Sequence, residues 1–418
     1  MNFGEWQALA PEAAAREVRK RADERFSPEQ RKAAIALLSD QDSLARALAA
    51  APAGSPLRGV PYLLKDLFDI ASLPTFAGST FLPRERPTPA ADGALAKDLR
   101  AAGAAFAGKT QLFEFAWGLT GENSHYGDCE RPGHRGRTSG GSSSGSAAAV
   151  AAGVVPFAIG TDTGGSVRVP AAFCGVFGYR GVPGDPWISD AVALAPSFDT
   201  AGWFTSSAPD MLRVLEALVR PERGNGEPRG TYLELPGLDA DVSKACRAAA
   251  LEFATEADPS TRSELTSRFE PAAETYGVLA GLESWRIHRK WAVRHRAEYG
   301  PLVQARLDRA KAISQAQVAA VEPSLAALRN AWDSLFKARD FLVMPAAPFA
   351  ALAKEDCTPA NRLRMLALTA PASLAGLPAL AVPVALASGL SAGLQVVFAN
   401  PRSPALAWVL GHCRQSSA

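Results

Sequence analysis

The chain has 418 residues, 47% of them hydrophobic and 21% charged, with a formal net charge of +2. That length buries a sizeable core, and the composition is that of a globular protein rather than a disordered one. A nearly balanced charge without a recurring basic run gives no footing for nucleic-acid binding, so small molecules are the expected class of partner.

Residues 1–50 read as a helical segment packed on the core. Ser27-Pro28-Glu29-Gln30 supplies a capping hydroxyl, a proline at the first helical position and a glutamine at the third, ahead of an apolar face from Ile35, Leu37 and Leu38. From Arg58 onward short apolar runs alternate with helical stretches: a strand at Val60–Leu64, a helix near 93–103, a strand at Ala104–Ala107 and a helix over 146–153. This alternation predicts an α/β sheet covered on both sides by helices. Residues 209–340 read as a helix-rich cover, in which Met211, Leu212, Leu215 and Leu218 form one stripe and a Pro/Gly-rich break follows at 221–228. Strand texture returns at Phe341–Pro345, Ala379–Pro383 and Gly393–Val397. The most apolar stretch, Leu366 to Leu390, is interrupted by Pro371, Gly376, Pro378 and Pro383, which predicts buried strands and turns rather than a membrane span. No repeat of 20–50 residues is visible. Residues 51–418 are expected to form a single α/β domain whose sheet is completed by the C-terminal quarter.

Five scattered cysteines, Cys129, Cys174, Cys246, Cys357 and Cys413, never form a Cys-x-x-Cys pair. Neither a disulfide framework nor a zinc knuckle is expected, and a reducing cytoplasm is the expected compartment. The first residues, Met1-Asn2-Phe3-Gly4-Glu5, carry no basic segment ahead of an apolar core, so no secretory signal is expected.

Two Gly-Gly-Ser tripeptides carry most of the functional information, one in Ser139–Ser146 and one in Gly160–Arg168. A Gly-Gly pair lets the chain turn sharply and present the next hydroxyl with backbone N–H groups beside it, as an acyl-transfer nucleophile requires. Flexible linkers share this composition, but each stretch is joined to apolar sequence: Ala147–Val155 follows the first and Val154–Ile159 precedes the second. A serine nucleophile needs a base. None of the five histidines stands in a triad context; His288 and His295, on a charged helical stretch, are expected to be solvated. Lys65, at the end of the Val60–Leu64 run, is the better base if burial disfavours its charged form. Bringing its pKa from about 10.4 to near 7–8 takes about 3–4 kcal/mol of unfavourable environment for the ammonium. The alternative is a surface pair with Asp66 or Asp69.

Several blocks together resemble the amidase signature hydrolases: Arg58–Asp69, Ala107–Ala116, Gly140–Val150, Gly160–Ala171, Phe341–Pro345, Leu374–Pro383 and Gly393–Gln395. The resemblance implies a large mixed β-sheet covered on both sides by helices. It implies a Ser–cis-Ser–Lys triad, with Ser166 as nucleophile, Ser142 in a cis peptide bond as the bridging serine, and Lys65 as base. The backbone N–H groups of Thr163, Gly164, Gly165 and Ser166 would form the oxyanion hole, and Asp162 and Arg168 would hold the turn as charge partners. No metal or cofactor is implied. The implied reaction is hydrolysis of a linear amide through a Ser166 acyl-enzyme. An A subunit of a tRNA-dependent amidotransferase and a ureide hydrolase of the allophanate or biuret type are the alternatives.

The chain departs from the commonest pattern at Ser144, where glycine is usual, and at Tyr179-Arg180-Gly181-Val182-Pro183, where Lys-Pro-Thr is usual. Ser142–Ser146, Thr161–Gly175 and Pro196–Trp203 are most similar to the short amidase 1 type, which includes indole-3-acetamide hydrolases. Phe115, Trp117, His125, Tyr126 and Ser143 are the candidates to line the acyl pocket, with ordinary core as the alternative for the aromatics. The basic loop Arg131, His134, Arg135 and Arg137 either greets a carboxylate-bearing substrate or is solvated surface. The expected partner is a small amide, with no nucleic acid and no membrane; a homodimer is left open.

Overall fold

The structure, a computed structural model, describes residues 1–224 and 226–413. Asn225, in the break expected at 221–228, lies outside the described residues. The strands are β1 (Ile35–Leu38), β2 (Pro61–Lys65), β3 (Ala105–Thr110), β4 (Phe157–Thr161), β5 (Phe177–Arg180), β6 (Ala201–Thr205), β7 (Gly230–Tyr232), β8 (Thr255–Glu256), β9 (Phe341–Pro345), β10 (Ala379–Ala385) and β11 (Ser391–Phe398). They form one 11-stranded sheet in the order β1-β3-β2-β4-β6-β5-β10-β11-β9-β7-β8. β2 runs parallel to β3 and β4, and β7 parallel to β8 and β9, while the remaining pairs are antiparallel, so the sheet is mixed.

The central strands are apolar at successive positions because helices cover both faces of the sheet. Along β2, Tyr62 and Leu64 pack into one core and Leu63 into another. Along β9, Phe341 and Val343 face the first core while Leu342 and Met344 face a core beneath the helices Ala272–Arg294, Gln315–Ala338 and Pro359–Leu374. The alternation of period two decides where chemistry can sit. Lys65 shares the parity of Leu63, and therefore the face that carries the helix Ser144–Ala151.

The N-terminal segment is helical over Phe3–Gln7, Pro11–Arg25, Pro28–Ala34 and Gln41–Ala49, and the predicted Ser27/Gln30 capping box is present. Ile35–Leu38 is not the helical face the sequence suggested. It is β1, an antiparallel edge strand pairing Ile35 with Thr110 and Leu38 with Gly108. Ladder pairing with β3 overrides the helical pattern, which local propensity specifies only weakly.

The helix-rich region likewise contains β7 and β8, which extend the far edge of the sheet. These runs of three and two residues are too short for periodicity to register. Leu366–Leu374, expected as strand or turn, belongs to the helix Pro359–Leu374 with Pro371 inside it. There the proline signal yields to burial, since Leu368–Leu374 is buried throughout. Among the described residues, no helix is long and apolar enough to cross a membrane.

Candidate active site

Lys65 ends β2 fully buried, and three hydroxyls surround its amine. Nζ lies 2.7 Å from Ser142 Oγ, 2.9 Å from Ser143 Oγ and 2.8 Å from Thr161 Oγ1. Ser142 and Ser143 immediately precede the helix Ser144–Ala151, which lies on the same face of the sheet as Lys65. The Gly141–Ser142 peptide bond is cis. Burial holds the Lys65 amine well below its ordinary pKa, although the Asp162 and Asp199 carboxylates pull the other way. The surface pairing considered for Lys65 does not form. Asp66 is bound instead by the buried Lys109 at 2.8 Å, and Asp69 by Arg86.

Three hydroxyl oxygens around Nζ can serve either the three N–H groups of an ammonium or the two N–H groups and lone pair of a neutral amine. Ser143 Oγ donates its proton to the Thr161 carbonyl at 3.0 Å, so it accepts from Lys65. A neutral amine has two N–H groups and one lone pair. A neutral amine that gives its N–H groups to Ser143 and Thr161 has its lone pair left for the Ser142 hydroxyl, whereas an ammonium donates to all three oxygens.

The second serine loop runs from the end of β4 to the helix Arg168–Cys174 and is organised by Asp162. Asp162 Oδ1 accepts from Gly165 N at 2.7 Å, and Oδ2 accepts from Val167 N at 3.1 Å and Arg168 N at 3.3 Å. Two fully buried guanidiniums close on the same carboxylate: Arg168 through Nε at 3.0 Å and Nη2 at 2.9 Å, and Arg180 through Nη1 at 2.9 Å. Burial by itself would raise the Asp162 pKa, but Arg168 and Arg180 reverse this and hold the carboxyl far below its usual range. Arg168 also ties the loop to the rest of the fold, donating to Thr369 O, Gln395 Oε1 and Ser373 Oγ. Thr163 Oγ1 donates to Asp199 Oδ1 at 2.6 Å, and Thr369 Oγ1 donates to Gly164 O at 2.6 Å.

Glycine is required at the turn itself. Gly165 has φ +124°, and a Cβ there would lie 2.8 Å from Thr369 Oγ1, while a Cβ on Gly164 would lie 2.5 Å from the Tyr276 ring. The four backbone donors expected at this turn are not equivalent. The Gly165 N–H is already given to Asp162, so it is not a free oxyanion donor. Those of Thr163, Gly164 and Ser166 have no acceptor among the described residues. Ser143 N donates to Ser166 O at 3.3 Å, which joins the two serine loops. The Ser142 and Ser166 hydroxyls are not hydrogen-bonded to each other among the described residues.

Ser166 and Gly164 line a cavity of about 540 Å³, with Trp117, Tyr276, Arg306 and Arg362 among its other walls. Of the five residues expected to line the acyl pocket, only Trp117 lies on this cavity. Phe115 is core, packed edge-on to His288 at 4.7 Å and stacked on Trp291 at 5.9 Å. His125 Nε2 is bound to Glu114 Oε1 at 3.0 Å, Tyr126 donates to the Ser79 carbonyl at 3.0 Å, and Ser143 is taken up by Lys65. His288 is not solvated: it is fully buried, with Nδ1 2.9 Å from the Tyr299 hydroxyl, and desolvation alone lowers its pKa to about 3. His295 is partly exposed between Glu85 and Glu298. In the basic loop, Arg131 reaches the Gly389 carbonyl and Arg137 the Ala351 carbonyl, and Arg135 is exposed.

Sequence reasoning missed Thr161, Arg180, Asp199, Tyr276, Arg306 and Arg362. Thr161 and Arg180 lie inside motif blocks and were visible there, Arg180 as a departure from the usual lysine. Asp199 lies in the Pro196–Trp203 block but was given no role there, and Tyr276, Arg306 and Arg362 come from segments without a local signature. Among the described residues, no three His, Cys, Asp or Glu side chains cluster to hold a metal ion.

The Amidase family model matches residues 27–250 and 238–403. The chain is 45% identical over 164 residues to Amidase 1 of Oryza sativa subsp. japonica, a match spanning 39% of this chain and 38% of that one. It is 31% identical over 379 residues to AtzE, a 1-carboxybiuret hydrolase subunit of Pseudomonas sp. (strain ADP), covering 82% of this chain and 81% of the relative. It is 32% identical over 404 residues to the A subunit of glutamyl-tRNA(Gln) amidotransferase from Symbiobacterium thermophilum, covering 84% of this chain and 82% of the relative. A crystal structure of an amidase superposes with a TM-score of 0.85 at 30% identity, covering 99% of both chains.

Proposed function

The chain belongs to the amidase signature family of hydrolases acting on C–N bonds, and we propose that it cleaves a small linear amide through an acyl-enzyme on Ser166, with Lys65 as base and Ser142 as proton relay. The observation that carries this reading is the buried Lys65 Nζ, 2.7 Å from Ser142 Oγ and far from its ordinary pKa, beside the loop that presents Ser166 to a cavity. A neutral amine in a dry site is a competent base at neutral pH, which a surface lysine is not.

Ser166 Oγ attacks the amide carbonyl while its proton passes through the Ser142 hydroxyl to Lys65 Nζ. The oxyanion that forms is met by the N–H groups of Thr163, Gly164 and Ser166, and losing one such donor typically costs about 3–4 kcal/mol of barrier. The C–N bond then breaks, and the Lys65 ammonium returns its proton through Ser142 to the leaving nitrogen. Water attacks the ester with the same base, the C–O bond to Ser166 breaks, and the proton returns to Ser166 Oγ. The balance is amide plus water to carboxylic acid plus ammonia or amine. The Ser142 to Ser166 contact is to be completed with substrate in place, as catalytic hydrogen bonds commonly tighten in the Michaelis complex.

A fluorophosphonate probe tests the nucleophile. It is expected to label Ser166, as located by mass spectrometry, and Ser166→Ala is expected to abolish labelling and amide hydrolysis while keeping the wild-type melting temperature. Full turnover by Ser166→Ala refutes the assignment. A second reading is favoured by relatives that match over four-fifths of this chain, the 1-carboxybiuret hydrolase and amidotransferase chains among them, which are named as subunits: the chain works inside a larger assembly. Affinity capture that returns stoichiometric partner chains supports that reading.

A further inference from the structure

Among the described residues, five that are not glycine have a positive φ, and three of them meet at one place: Ala77 at +53°, Phe115 at +50° and Ala116 at +59°. A side chain disfavours this left-handed region, a bulky one most of all, and such backbone persists only where its surroundings hold it. Phe115 and Ala116 lie in the short turn Glu114–Ala116, and the Phe115 N–H is given to the Ala77 carbonyl at 2.8 Å. The Ala77 N–H is given in its turn to the carbonyl of Asp66, the residue after Lys65, at 3.0 Å.

The segment that contains this turn touches the first serine loop at both ends. Phe113 N donates to Ser142 O at 3.1 Å, and Gly141 N donates to Leu119 O at 3.0 Å. Between these two bonds, Ala116, Trp117, Gly118 and Leu119 form one wall of the Ser166 cavity. The turn therefore sets both the place of the Ser142 backbone and the place of that wall.

Glu114 holds the turn. Its side chain is 3% exposed, and its two oxygens take separate donors: His125 Nε2 lies 3.0 Å from Oε1, and Gly300 N donates to Oε2 at 2.8 Å. A carboxylate only accepts, so His125 carries its proton on Nε2. The His125 backbone N–H is fixed on Asn123 Oδ1 at 2.9 Å, and Asn123 Nδ2 donates to Leu112 O, at the entry to the turn, and to Gly78 O, both at 2.9 Å. Gly300 precedes the helix Pro301–Lys311, which supplies another wall of the cavity. A Cβ on Gly300 would crowd Ser124 Oγ and lie 3.0 Å from Glu114 Oε2, so this approach needs glycine. Without the carboxylate, the buried Gly300 N–H and the His125 proton lose their acceptor, and the two left-handed residues lose their anchor.

Resting on the acyl-enzyme reading, we propose that Glu114 is a positioning residue of the active site: through His125 and Gly300 its carboxylate fixes the left-handed turn that places Ser142 and the Ala116–Leu119 wall. Phe115 and His125, which do not line the cavity, thereby have a part in the site. Glutamine at 114 keeps both bonds, its oxygen accepting from Gly300 N and its amide donating to His125 in the other tautomer, whereas alanine keeps neither.

The test is the rate at which a fluorophosphonate labels Ser166, taken per site that finally labels, with both quantities read by mass spectrometry. The end point counts competent, folded protein. The rate per site reads the geometry of Ser166, Ser142 and Lys65, which a loss of stability alone does not move. Glu114→Ala is expected to label ~10- to 10²-fold more slowly per site than wild type, as a displacement on the order of 1 Å at a reacting centre produces. Glu114→Gln is expected to stay within ~3-fold of wild type, since it retains both hydrogen bonds. His125→Ala removes one anchor and leaves Gly300, and is expected to slow labelling by ~3- to 10-fold; it carries the test if Glu114→Ala does not fold. A wild-type rate per site in Glu114→Ala, or in His125→Ala where only that variant folds, overturns the proposal, and so does a Glu114→Gln as slow as Glu114→Ala. A wild-type protein that is never labelled at Ser166 overturns the acyl-enzyme reading instead, and the positioning role falls with it.

Discussion

Arg168→Met removes the guanidinium that fastens the Ser166 loop to the sheet. All five of its N–H groups are used: two on Asp162, one on Ser373 Oγ, one on Thr369 O and one on Gln395 Oε1. Methionine replaces much of the volume and none of these bonds. Asp162 keeps Arg180, so its charge is not wholly abandoned. The expected loss is that of breaking a buried pair by removing one partner, about 3–5 kcal/mol. Against a typical total of about 5–15 kcal/mol, that is a large share of the stability of the fold. Equilibrium urea unfolding reads it as a lower midpoint, and the rate of fluorophosphonate labelling in native buffer reads the loosening of the Ser166 turn. Asp162→Asn, which leaves both Arg168 and Arg180 without their carboxylate, is expected to cost at least as much. A loss under about 1 kcal/mol for Arg168→Met, with wild-type labelling, refutes the view that this network sets the geometry of the turn.

In the proposed mechanism the Lys65 amine acts in its neutral form, and burial depresses its pKa, so kcat/KM is expected to rise with pH and reach its plateau well below the ordinary lysine value of about 10.4. A profile that rises only near pH 10, or turnover retained by Lys65→Met, contradicts this. Gly165→Ala is expected to lose about 1–3 kcal/mol of stability together with most activity, because φ +124° disfavours a side chain and its Cβ meets Thr369; calorimetric melting and amide turnover check it, and a wild-type result for both refutes it. His288 titrates at about 3 in the fold and about 6.5 unfolded, so the unfolded state takes up the proton first as pH falls. Its neutral burial costs nothing above about pH 6.5 and subtracts stability progressively towards pH 3, about 5 kcal/mol at the acid end. His288→Phe is expected to unfold at lower pH than wild type in an acid titration followed by circular dichroism; an unchanged midpoint removes His288 from that account.

Much of the site was legible because its parts are local. Ser142 and Ser166 each sit in a short glycine-flanked turn before a helix, and a turn of that kind is written in adjacent residues. Lys65 was legible as the polar end of an apolar strand, and Asp162 with Arg168 as opposite charges six positions apart. The walls of the cavity were not legible. Phe115, His125 and Tyr126 are near the first serine loop in sequence, yet they turn into core or bind Glu114 and Ser79. Along the chain the natural place for a carboxylate-binding patch is Arg131–Arg137, where basic residues are close neighbours. The arginines that line the cavity stand instead at 306, 309 and 362, on two separate helices.

The sequence by itself determined the α/β class, the two serine turns and the lysine at the strand end, because each rests on periodicity or turn chemistry spanning a few residues. The tertiary structure decided what those residues meet. Strand parity put Lys65 on the face of the Ser144–Ala151 helix, and burial stripped the water from its amine. The Asp162 carboxylate took up the Gly165 N–H that the sequence had offered as an oxyanion donor, and packing of the helices Pro301–Lys311 and Pro359–Leu374 brought three guanidiniums to one cavity. Desolvation and charge crowding depend on contacts between segments tens to hundreds of residues apart, and only the folded chain fixes those contacts.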